Sequence, residues 1–159
     1  MAYRIGVIGT GYVGLVTGTC LADVGNTILC IDVDAAKVES LKKGIVPIFE
    51  EGLERLLERA LREERISFSL DLEEAVRSCT VLMLCLPTPP DKDGSADLAA
   101  VLSVSETIAT MLNTLDITEP RIVVNKSTVP VGTADRVTEI FRRIAPTRTV
   151  AVVSNPEFL

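Results

Sequence analysis

The 159-residue chain has no histidine and no tryptophan. Ser/His or Cys/His catalysis built within it therefore has almost no support. Its four cysteines, Cys20, Cys30, Cys79 and Cys85, include no C-x-x-C pair, so no zinc ligand set is visible and no metal is expected. Each cysteine lies in or beside an apolar run, where a thiol is expected to be a small buried side chain. Basic residues are in deficit: 16 Lys and Arg face 22 Asp and Glu, for a net charge of −6. No basic stripe or aromatic–basic alternation is present, so nucleic acid is not an expected partner. An anionic ligand would have to be held by local donors. No apolar run approaches the ~20 residues of a membrane span. The N-terminus leads directly into a strand rather than a signal peptide, so a cytoplasmic protein is expected. No Gly/Ser linker, internal repeat or low-complexity tract divides the chain, and one domain over residues 1–159 is expected.

Against these absences stands Ile5-Gly-Val-Ile-Gly-Thr-Gly-Tyr-Val-Gly14. Ile5 to Ile8 read as a buried strand, and Gly9, Gly11 and Gly14 form G-x-G-x-x-G. A helix is expected next, with Val13, Val16, Cys20 and Val24 on one face, a side-chain-free strip of Gly14 and Gly18 on another, and Gly25 as its stop. At a strand–turn–helix junction the first glycine permits the turn. The second lets backbone approach a diphosphate, and the third lets helix and strand pack closely. The helix N-terminus offers free N–H groups to the phosphates. A second apolar run, Thr27 to Ile31, ends in Asp32, placed to accept hydrogen bonds from an adenosine ribose. A carboxylate there would repel a 2′-phosphate, which favours NAD over NADP. The alternative is a glycine-rich turn beside a helix-capping aspartate, with no ligand.

Asp34 is expected to cap a short helix with Val38 and Leu41 inward, ending at Gly44. Lys37, in its first turn, reads equally as a second contact to the ribose side or as a solvated lysine. A further helix has Leu53, Leu56, Leu57, Ala60 and Leu61 on one face and a Glu58–Arg62 pair on the other. Ile66 to Leu70 alternate as a strand. A capping-box-like Asp71 to Glu74 opens a helix with Leu72, Ala75, Val76 and Cys79. Thr80 to Leu86 read as a central parallel strand that breaks at Pro87-Thr-Pro-Pro90. Thr88 lies at this strand's carboxyl end and either meets a cofactor or belongs to a bare turn. Asp97 is expected to cap a long helix with Leu98, Val101, Leu102, Ser105, Ile108, Ala109 and Leu112 on one face. Arg121 to Asn125 form the next strand and run into Lys126-Ser-Thr-Val-Pro-Val-Gly132. A helix with Val137, Ile140, Phe141 and Ile144 follows, then a strand over Thr149 to Val153. The alternation implies an α/β fold: a doubly wound, parallel, six-stranded sheet (Rossmann fold) in the order 3-2-1-4-5-6.

Five stretches in order carry a resemblance: Gly9-Thr-Gly-Tyr-Val-Gly-Leu15, Asp32-Val-Asp34, Thr88-Pro-Pro-Asp-Lys-Asp-Gly-Ser-Ala-Asp-Leu98, Lys126-Ser-Thr-Val-Pro-Val-Gly-Thr133 and Ser154-Asn-Pro-Glu-Phe-Leu159. Together they resemble the N-terminal NAD-binding domain of the UDP-glucose/GDP-mannose dehydrogenase family, in its bacterial UDP-glucose 6-dehydrogenase form. The resemblance implies oxidation of the C6 alcohol of UDP-glucose to a carboxylate in two NAD-linked hydride transfers, through a covalent cysteine intermediate. It implies that Gly9, Thr10, Gly11, Tyr12, Val13 and Gly14 cradle the diphosphate and that Asp32 and Lys37 take the adenosine ribose side. Thr88 and Thr128 would lie along the cofactor, and Thr128 would also help place a hydrolytic water. Glu157 matches the family's acid/base, whereas residue type and position alone make it a solvated carboxylate. Phe158 and Leu159 would begin a segment that touches substrate with Glu157. The family's central helix, UDP-binding domain and nucleophilic cysteine have no counterpart here, so none of the four cysteines is nominated, and the chain alone is expected to be inactive. Glu51 departs from a proline common in relatives. GDP-mannose or a UDP-N-acetylhexosamine is the alternative substrate, and a stand-alone NAD-binding module the alternative role. The whole enzyme is expected to be a homodimer.

Overall fold

A computed structural model of the chain describes residues 2–91 and 94–157. Six strands alternate with six helices: β1 (Arg4–Ile8), α1 (Tyr12–Asp23), β2 (Thr27–Ile31), α2 (Ala35–Lys42), α3 (Leu53–Arg62), β3 (Ile66–Ser69), α4 (Leu72–Ser78), β4 (Val81–Leu84), α5 (Ala99–Thr114), β5 (Arg121–Asn125), α6 (Thr133–Ile144) and β6 (Val150–Ser154). The strands pair in parallel in the order β3-β2-β1-β4-β5-β6. The expected strands are present, with ends moved by a residue or two. Asp34 and Asp71 cap α2 and α4, as their spacing predicts. At α5 the expected cap is moved: Leu98, not Asp97, is the N-cap residue, and the Asp97 carboxylate accepts the Ala99 amide (2.8 Å) from one residue outside it.

Two apolar layers flank the sheet. Val38, Leu41, Leu53, Leu57 and Ala60 pack with Ile28, Cys30, Ile66 and Phe68 on one face. On the other, Val76, Val101, Ile108, Leu112, Val137 and Phe141 pack with Leu82, Leu84 and Val123. Ile122 and Val153 stay exposed on the outer part of the sheet.

The structure corrects the reading of α1. Its buried residues are Gly14, Leu15, Gly18, Thr19 and Ala22, while Val24 is 74 % exposed and Cys20 is exposed. Val13 and Val16 are only partly buried. The small-residue strip, not the valine face, lies closest to the sheet. A Cβ added at Gly18 would stand 3.2 Å from the Cys30 thiol. Absence of side chains lets helix and sheet approach, so the most apolar face is not the most buried one. Cys20 is thus an exception to the expectation of buried thiols; Cys30, Cys79 and Cys85 meet it.

On α3, Leu56 and Leu61 are only half-buried. Among the described residues no ion pair joins Glu58 and Arg62; Arg59 instead pairs with Asp23 of α1. Arg121, 5 % exposed, donates from its guanidinium to the carbonyls of Val76, Arg77, Glu119 and Pro120. It closes the C-terminus of α4 onto β5, where carbonyls lack partners within the helix.

Candidate functional site

The strand order brings the carboxyl ends of β2, β1, β4 and β5 side by side. There they open into a cavity of about 720 Å³. This is the size of a small-molecule or cofactor site, in the position where ligands bind on open parallel sheets.

The β1–α1 turn forms one wall. Gly9 has φ +98°, and a Cβ there would lie 2.4 Å from the Cys85 carbonyl oxygen. A Cβ at Gly14 would lie 1.9 Å from the Gly9 carbonyl oxygen. The fold itself requires both glycines. Gly11 is different. Its φ of −70° is open to any residue, and a Cβ there would meet nothing within 4 Å. Gly11 lines the cavity and caps α1 without a side-chain hydrogen bond. Its missing side chain keeps free the space beside the uncapped first-turn N–H groups, as a diphosphate requires. The residues present therefore fit a dinucleotide.

Asp32 stands at the next strand end. Its Oδ2 accepts the Thr10 amide (2.9 Å), the Thr10 hydroxyl (2.6 Å) and the Lys37 ammonium (2.9 Å), and its Oδ1 accepts the Asp34 amide (3.0 Å). Burial alone would raise this carboxyl. The Thr10 hydroxyl, the Asp34 and Thr10 amides and the Lys37 ammonium outweigh it and hold the group well below the usual carboxylate range. Asp32 is thus an ionised acceptor facing the cavity. Thr10 is 1 % exposed and does not line the cavity; its amide and hydroxyl are both committed to Asp32. Tyr12 and Val13 line the cavity, and the Tyr12 hydroxyl donates to the Glu50 carboxylate, which raises the phenol.

At the far end lie Thr88, Lys126, Ser127 and Thr128. The Thr88 hydroxyl donates to the Thr128 carbonyl (2.8 Å). The Thr128 hydroxyl donates to the Glu157 carbonyl, and the Lys126 ammonium pairs with the Glu157 carboxylate. The Ser127 hydroxyl donates to the Leu86 carbonyl (2.7 Å) and accepts the Leu86 amide (3.0 Å). Residue type and position did not single out Lys126 or Ser127, although both directly follow a strand at its carboxyl end. The apolar walls, Leu70, Leu72 and Val104, were also unforeseen. Cys85 lines the cavity too. Burial pushes its thiol up to about 12, although the nearby Lys126 charge acts in the opposite direction, so it is not a thiolate at neutral pH. Phe158 and Leu159 lie outside the described residues. No cluster that could hold a metal ion occurs among the described residues.

Residues 3–159 match the model of the UDP-glucose/GDP-mannose dehydrogenase family, NAD binding domain. The chain belongs to this family and is its NAD-binding domain. It is 45 % identical, over 157 residues, to UDP-glucose 6-dehydrogenase TuaD of Bacillus subtilis, covering 98 % of this chain and 33 % of that protein. The structure of a UDP-glucose dehydrogenase from Pyrobaculum islandicum superposes with TM-score 0.92 at 37 % identity, over 100 % of this chain and 37 % of that one. A GDP-mannose dehydrogenase from Pseudomonas aeruginosa superposes with TM-score 0.91 at 33 % identity, over 98 % and 36 %. The chain thus spans about a third of the length of these relatives. No helix among the described residues is long and apolar enough to cross a membrane.

Proposed function

We propose that this chain holds NAD for a UDP-glucose 6-dehydrogenase that makes UDP-glucuronate in two hydride transfers. The observation that carries the reading is Gly11, a glycine the fold does not need, set in the cavity wall beside an ionised Asp32. Gly9 and Gly14 shape the turn, and the amides at Tyr12 and Val13 face the diphosphate. Thr10 supports the reading indirectly, by orienting Asp32. Asp32 accepts the adenosine ribose hydroxyls and repels a 2′-phosphate. Lys37 turns from Asp32 to the same ribose. Thr88 and Thr128 border the nicotinamide half. When bound, NAD would supply the hydride acceptor for the sugar carbon. Glu157 acts as acid/base beside that carbon, with Thr128 aligning water, and Phe158 and Leu159 continue towards substrate.

UDP-glucose is preferred because, among the solved structures, the UDP-glucose enzyme is 37 % identical against 33 % for the GDP-mannose enzyme, which is the second reading. The whole protein is a cytoplasmic homodimer in this reading. In this reading its nucleophilic cysteine belongs to the part of the relatives' length that this chain does not span.

Calorimetry of the chain with NAD⁺ and NADP⁺ tests the proposal. NAD⁺ is expected to bind at least tenfold more tightly, because a 2′-phosphate would face an ionised carboxylate. The chain alone is expected to form no NADH from UDP-glucose or GDP-mannose. No heat with NAD⁺, or equal affinity for NADP⁺, overturns the reading.

A further inference from the structure

We propose that Lys126 and Glu157 form a charge-balanced pair that sets how the cavity discriminates between oxidised and reduced dinucleotide. This rests on the reading that NAD occupies the cavity with its adenosine at Asp32. Asp32 follows β2 and Lys126 follows β5, with β1 and β4 between them. The two residues are therefore three strand spacings apart, about 14 Å. A dinucleotide held by its ribose at Asp32 and its diphosphate at the β1–α1 turn carries its nicotinamide on towards Lys126, Ser127 and Thr128.

The nicotinamide ring is cationic when oxidised and neutral when reduced. A fixed charge beside it changes the affinity for one form only. The Lys126 side chain is 11 % exposed and lines the cavity; Glu157 is 42 % exposed and pairs with it. Cys85 also lies beside both, neutral as a thiol. Being of opposite sign, the two members of the pair together carry no net charge. Removing Lys126 leaves an unbalanced carboxylate, which favours the cationic form. Removing Glu157 leaves an unbalanced ammonium, which disfavours it. At an effective dielectric of about 20, one unit charge roughly 12 Å from the ring changes affinity about tenfold, and a closer charge changes it more.

The test is titration of the chain with NAD⁺ and with NADH, for wild type, Lys126→Met, Glu157→Gln, the double variant and Lys126→Arg. Lys126→Met is expected to move the ratio of dissociation constants at least about tenfold towards NAD⁺, and Glu157→Gln at least about tenfold towards NADH. The double variant and Lys126→Arg are expected to stay within about threefold of wild type. A purely structural role moves both dinucleotides equally, and that result overturns the inference. Wild type that binds both forms, with ratios unmoved in the variants, overturns this inference alone. Wild type that binds neither overturns the cofactor reading and this inference together. Glu157→Gln leaves a buried ammonium unpaired; if it does not fold, Lys126→Met against Lys126→Arg decides the outcome, since the carboxylate that Lys126→Met leaves unpaired is 42 % exposed.

Discussion

The two ends of the cavity are built from different materials. At the β1–α1 turn the working parts are backbone: Gly9, Gly11 and Gly14, with the free amides of a helix start. At the loop after β5 they are side chains: Lys126 on Glu157, Thr128 on the Glu157 carbonyl, Thr88 on the Thr128 carbonyl, and Ser127 on Leu86. A backbone device leaves its mark within a few residues, because Gly9 and Gly14 have no room for a side chain and Gly11 keeps open the space beside the helix start. A side-chain device joins residues about 30 to 40 positions apart and leaves no local pattern. The first end should therefore break at single glycines, and the second should loosen by degrees.

The largest effect is expected at Gly14. A methyl group there meets the Gly9 carbonyl oxygen at 1.9 Å, with no flexible atom to give way. Gly14→Ala should lose about 4 kcal/mol or more, or fail to fold, in chemical denaturation. Gly11→Ala is the contrasting member of the pair. It should unfold within about 0.5 kcal/mol of wild type yet bind NAD⁺ at least tenfold more weakly. Equal stability losses at both positions would erase the division between glycines the fold needs and the one the ligand needs.

Asp32→Asn comes next. Because its folded pKa is depressed, Asp32 contributes stability that is present above its unfolded pKa of about 4 and lost as pH falls towards the folded value. The variant should be less stable than wild type at pH 7, by on the order of 2 kcal/mol after solvent screening, and the gap should close below about pH 4. Urea denaturation at pH 7, 4 and 3 measures this. A gap that widens in acid would show that Asp32 is not held ionised.

The smallest effect is expected for Ser127→Ala. It removes a 5 % exposed hydroxyl that satisfies the Leu86 amide and carbonyl, at a cost of about 1–2 kcal/mol with the fold retained. A loss as large as that of Gly14→Ala would mean the far loop is as unforgiving as the glycine turn.

Much of this molecule was legible beforehand. Apolar runs of four or five residues between amphipathic helices imply a parallel sheet, and the strand order follows from right-handed crossovers. The glycine spacing and Asp32 mark one end of the cavity. The misreadings share a cause. Cys20 and Val24 lie on the most apolar side of α1, but burial went to Gly14, Gly18 and Ala22, since distance of approach decides what is covered. Glu58 and Arg62 had favourable spacing, yet it was Arg59 that found a partner, because α1 brought Asp23 within reach. Lys126 and Ser127 stood at a strand's carboxyl end, and nothing nearby told what they would meet.

Periodicity, glycine placement and one acidic residue, all local properties of the chain, were enough to determine the architecture and the binding of a dinucleotide by this domain. Which donors saturate Asp32, which thiol lines the cavity and which cation meets Glu157 were decided only when the strands lay side by side. Those choices depend on distances between residues remote along the chain, and such distances exist only in the folded state.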